Sequence, residues 1–78
     1  MKLKTANYTI VLQSEPEGGF TVTVPALPGC VTYGENIEEA QKMAEDAIGG
    51  YLASLRKHRE PIPRDQYSFV GMVNVAVR

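Results

Sequence analysis

Apolar and polar residues alternate through residues 3–14. Ala6, Tyr8, Ile10 and Leu12 share one side, and Asn7, Thr9, Val11 and Gln13 the other. A period of two belongs to a strand with one buried face, so a first strand is expected here. Glu15-Pro16-Glu17-Gly18-Gly19 follows, a run of turn formers in which two glycines can adopt positive φ. Phe20-Thr21-Val22-Thr23-Val24 then alternates again and is rich in β-branched residues, which predicts an antiparallel hairpin. Pro25 ends the pairing because it has no N–H to give a ladder.

Ala26-Leu27-Pro28-Gly29 reads as a reversal, with proline setting φ and glycine taking the positive φ of a type II turn. A short third strand, Cys30-Val31-Thr32-Tyr33, is closed by Gly34. The period then changes to that of a helix. Asn36 is placed as an N-cap with Glu39 three residues on, as in a capping box. Ile37, Ala40, Ala44, Ala47, Ile48, Tyr51 and Leu55 form one apolar stripe. Gly49 and Gly50 interrupt its composition but not its phase, so a continuous helix with close backbone packing at the glycines is expected. Pro61 and Pro63 prevent continuation, and Phe69 to Val77 predicts a fourth strand.

The resulting expectation is an α+β domain of order β-β-β-α-β, a four-stranded, mostly antiparallel sheet with one helix packed on one face. One helix leaves the opposite face to water or to a partner. The last strand is apolar on both sides, with Val73, Val75 and Val77 on one and Val70, Met72 and Ala76 on the other. That exceeds what a solvated strand requires, so Val70, Met72 and Ala76 are candidates for an oligomer interface, a dimer or tetramer.

At 78 residues the chain has room for one small domain, spanning 1–78. Eight basic and nine acidic residues give a net charge of −1, so no global field draws in nucleic acid or an anionic membrane. No apolar run approaches the ~18 residues of a membrane span, and residues 1–5 lack a signal-peptide pattern. The single cysteine, Cys30, cannot form an internal disulfide, which points to a reducing cytoplasm.

Candidate chemistry is sparse. His58 lies among Arg56, Lys57 and Arg59, a setting that opposes a metal cation and suits a helix end. Cys30 has no activating base nearby in sequence and reads as a small buried apolar group. Gly18-Gly19 precedes a strand rather than a helix, so it is a turn and no phosphate cradle. No acid lies within residues 20–25 or 69–77, which leaves a two-metal nuclease without ligands from strand ends. No catalytic residue, metal site or cofactor site is therefore expected. Charge is uneven: residues 1–39 hold two basic and five acidic residues, and residues 40–78 six basic and four acidic.

Several stretches together resemble one family. They are Gly18-Gly19-Phe20 through Val24-Pro25, Leu27-Pro28-Gly29-Cys30, Gly34-Glu35-Asn36, Glu38-Glu39-Ala40, Ala47-Ile48 and Pro61-Ile62-Pro63. In this order and spacing they are similar to the HicB-type antitoxin domain, also described as UPF0150, from about residue 5 to residue 77. Asn36-Ile37 and Asp46-Ala47-Ile48 are its mild departures. The resemblance implies a partial RNase H-like fold without a nuclease site. It also implies a type II toxin–antitoxin role: binding a small basic HicA-like mRNA interferase and masking its RNA-binding, active surface. Many members carry a C-terminal DNA-binding domain. None is expected within these 78 residues, so direct promoter binding is not expected.

On this reading Glu35, Glu38 and Glu39, with Tyr33 in the adjacent loop, are the toxin-interface candidates. Two other readings stay open at this point, an orphan oligomeric regulatory module without a toxin and a degenerate RNase H-like nuclease.

Overall fold

The computed structural model describes residues 5–65 and 68–78. Three strands, β1 (Val11–Ser14), β2 (Phe20–Thr23) and β3 (Val31–Gly34), are followed by one helix, α1 (Ile37–Lys57). The strands form an antiparallel sheet in the order β1-β2-β3. Register pairs Leu12 with Val22 and Val22 with Thr32, so these side chains share a face.

Both turns follow from local chemistry. The Gly18 N–H donates to the Glu15 carbonyl and the Glu15 N–H to that of Gly19, with Gly18 and Gly19 at φ of 106° and 80°. The Cys30 N–H donates to the Leu27 carbonyl across Pro28-Gly29, and Gly29 has φ of 82°, as a type II turn demands. Regular pairing reaches back only to Val11 because its partner strand turns away at Pro25. Residues 3 and 4 of the expected first strand lie outside the described residues.

α1 begins where the capping pattern predicts. Asn36 Oδ1 accepts from the Glu39 N–H at 2.8 Å, and Glu39 Oε1 accepts from the Glu35 N–H at 2.7 Å. Val22, Ala40 and Ala44 form one core cluster with Ile10, Leu12 and Phe20 packed on it. Val24, Leu27 and Cys30 form a second, covered by Tyr8, Ile10, Ala47, Ile48, Tyr51 and Leu52. At its far end the helix closes in a Schellman turn: the Glu60 N–H donates to the Leu55 carbonyl, and Arg59 sits at φ of 56°.

Three expectations are corrected. The helix is continuous through Gly49 and Gly50, but nothing lies within 4 Å of where their β-carbons would be, so there is no close packing there. Anchoring of Ala44, Ala47, Ile48 and Tyr51 on either side offsets the roughly 1 kcal/mol each glycine costs. Ile37 is 56% exposed, because the helix first meets the sheet one turn later, at Ala40. The fourth strand is absent from the sheet: residues 68–78 have no regular structure and are exposed throughout. A strand exists only when it is paired along a neighbouring edge, and this segment is not paired with one. The described sheet is thus three-stranded, in an α+β arrangement.

Candidate functional site

The sheet face turned away from α1 holds a row built by register, Gln13 opposite Thr21 and Thr21 opposite Tyr33. Tyr33 is 43% exposed, and its hydroxyl donates to the Gly18 carbonyl at 2.9 Å. The phenol therefore lies across the β1–β2 turn. A β-carbon on Gly19 would stand 2.0 Å from its oxygen, so glycine is needed there for space as well as for φ. Thr21 Oγ1 donates to Glu15 Oε2 at 2.6 Å, which ties the turn to the same row.

This geometry gathers acids from two separate segments. The Tyr33 phenol is pushed above its usual range, first by desolvation and then by the negative charges of Glu35, Glu15, Glu39 and Glu17. Glu15 and Glu17 come from the hairpin turn, Glu35 and Glu39 from the start of α1. The result is an aromatic side chain laid against the turn that carries Glu15 and Glu17, two residues from Glu35, with its phenolate disfavoured by the surrounding negative charge. Of the sequence candidates, Tyr33, Glu35 and Glu39 come together. Glu38 is exposed on the first helical turn and makes no contribution to the Tyr33 shift.

The acids differ in freedom. The Glu39 carboxylate is held by the Glu35 N–H and the Glu15 carboxylate by Thr21, whereas Glu17, Glu35 and Glu38 project from the surface. Glu15 and Glu17 escaped the sequence reading because they lie some twenty residues from the helix start. The signal was the hairpin register, which returns the turn to the Tyr33 end of β3.

Elsewhere the chemistry is quiet. Cys30 is buried, and burial pushes its thiol up, away from the reactive thiolate. His58 Nδ1 lies 2.8 Å from the Ser54 carbonyl, a helix-end contact. Among the described residues, no three His, Cys, Asp or Glu side chains are grouped to hold a metal, and no helix is long and apolar enough to cross a membrane. Val70, Met72 and Ala76 are all exposed, in the unpaired C-terminal segment.

The described residues form a small α+β domain that carries an exposed tyrosine and acidic side chains at one end of its sheet. The family described as HicB_like antitoxin of bacterial toxin-antitoxin system matches residues 8–74. A UPF0150 protein of Thermoplasma acidophilum is 47% identical over 58 residues, covering 74% of this chain and 84% of its own. One from Archaeoglobus fulgidus is 36% identical over 71 residues, covering 91% of this chain and 94% of its own. The protein named Antitoxin HicB 1 of Photorhabdus laumondii is 39% identical over 61 residues, 78% of this chain but 39% of that antitoxin. This chain belongs to the HicB-like antitoxin family.

Proposed function

We propose that this protein is a non-enzymatic antitoxin that neutralises a small basic HicA-like mRNA interferase by covering its RNA-binding, active surface. The observation that carries the reading is the bond from the Tyr33 hydroxyl to the Gly18 carbonyl, which brings the turn bearing Glu15 and Glu17 to the half-exposed tyrosine that lies two residues before Glu35 at the start of α1. A toxin surface shaped for RNA is positive, and an acidic patch complements it and speeds encounter. Tyr33 supplies what charge alone lacks, a rigid amphipathic ring able to anchor a contact once water is displaced. Glu38 extends the patch along α1.

Occlusion is steric, so it needs neither a cofactor nor a nucleophile. It also needs no DNA contact by this domain, which spans residues 1–78 and is assigned to the cytoplasm in this reading. The partial RNase H-like fold, with Phe69 to Val77 as its fourth strand, belongs to the same proposal. Co-expression with a basic small protein encoded beside it tests the proposal. Restored growth and a stable co-purified complex are expected; toxicity unrelieved by co-expression overturns it.

A further inference from the structure

The sheet has an unpaired edge that runs into acidic residues. β3 stands last in the order β1-β2-β3. The Val24 N–H donates to the Cys30 carbonyl at 3.2 Å, which sets the alternation of the ladder. With Val22 opposite Thr32 and Phe20 opposite Gly34, the main chain of Thr32 and Gly34 faces β2. The N–H and C=O groups of Val31 and Tyr33 therefore point away from the sheet. Among the described residues, no turn or loop backbone bonds to them. The side chains of the same two residues stand on the face away from α1, Val31 being 57% exposed and Tyr33 43%. Such an edge is a template for another strand.

Charge decides what fits there. Glu35 and Glu38 follow β3 and are both exposed. Residues 5–41 contain no lysine or arginine, so all three strands and the helix start are free of positive charge. The sheet edge of a second copy would bring only further acid to the contact. A segment rich in lysine or arginine complements it instead.

We propose that the basic toxin is held by strand addition: an extended segment of it pairs with the outward main chain of Val31 and Tyr33 and lays its cations toward Glu35 and Glu38. This contact rests on the antitoxin reading above and names how the partner is gripped. Main-chain bonds supply affinity in such a pairing, and the side chains that alternate along it select the partner. Val31 and Tyr33 offer only two donors and two acceptors, so the added strand is short. The Tyr33 ring beneath it and the acids beyond it complete the contact.

The test uses the full chain, free and co-purified with the small basic protein encoded beside it. Amide hydrogen exchange should be fast at Val31 and Tyr33 in the free chain and slowed about tenfold or more in the complex. Val31→Pro removes one outward donor and no bond to β2, so it should weaken the complex about tenfold with helix content kept. Val31→Thr keeps that donor and should bind as the parent does. A complex in which both amides exchange as in the free chain overturns strand addition and leaves the antitoxin reading standing. A folded Val31→Pro variant that binds like the parent, or equal weakening by both substitutions, overturns it too. Should Val31→Pro fail to fold, exchange in the parent complex decides. Slow exchange at both amides with no partner present means that the edge is already filled, and ends the proposal. Absence of any complex ends both readings.

Discussion

A β-carbon placed on Gly34 would fall 2.4 Å from both the backbone N and the Cα of Ala40, closer than any real packing contact. The helix can settle on the sheet only because β3 ends in a residue without a side chain. Gly34→Ala should therefore push α1 off β3 and destabilise the fold by about 2–3 kcal/mol, the upper range of overpacking effects. Urea denaturation reads this directly, and a midpoint equal to the parent's contradicts the close approach.

Tyr33 reports on the acidic patch without any partner present. Glu35, Glu15, Glu39 and Glu17 disfavour the phenolate, so its folded pKa lies above the unfolded one. Lys at positions 17 and 35 should bring the phenol's titration down, followed by near-ultraviolet absorbance. The sign also predicts stability that is complete below the phenol's unfolded pKa and declines as pH rises through the folded value. A titration insensitive to both substitutions means the carboxylates do not converge.

Association with the toxin should depend on the acids that project freely. Glu17→Lys, Glu35→Lys and Glu38→Lys together should slow complex formation by at least tenfold at low salt, with a smaller effect at high salt. Stopped-flow mixing measures the rate. Glu39 is left out because its carboxylate holds the Glu35 N–H, and replacing it loosens the helix start. An unchanged rate at low salt removes the patch from the encounter surface.

The Asp65 carboxyl is held below its usual range, chiefly by hydrogen bonding from Ser68 and then by the Thr9 N–H. A depressed folded pKa makes this stabilisation present above the ordinary carboxylate range and lost as pH falls through the folded value. Asp65→Asn should flatten the acid limb of the stability profile, as seen in thermal melts across mildly acidic pH. An acid limb identical to the parent's means the clamp contributes nothing.

Arg59 occupies the left-handed position of the helix-terminating Schellman turn, with φ of 56°, where glycine is at ease. Arg59→Gly should relieve that strain and raise stability by up to about 1 kcal/mol. A melting temperature lowered by the substitution means that the arginine's charge at the helix end outweighs the strain.

What could be read along the chain was local. The hairpin over Glu15–Gly19, the Pro28-Gly29 reversal, the Asn36–Glu39 cap and the end of α1 near His58 rest on φ preferences and hydrogen bonds spanning a few residues. Residue identity alone therefore determined them, and the stripe from Ala40 to Tyr51 oriented the helix. Tertiary structure decided three further things. It placed the backbone approach at Gly34 instead of at Gly49 and Gly50, because only the packed helix selects which glycine meets a neighbour. It brought Glu15 and Glu17 to Tyr33 through strand register, a long-range relation that no local pattern carries. And it left Phe69–Val77 unpaired: β character is a property of residues, whereas a strand exists only once it is paired along an edge, a long-range relation that composition does not carry.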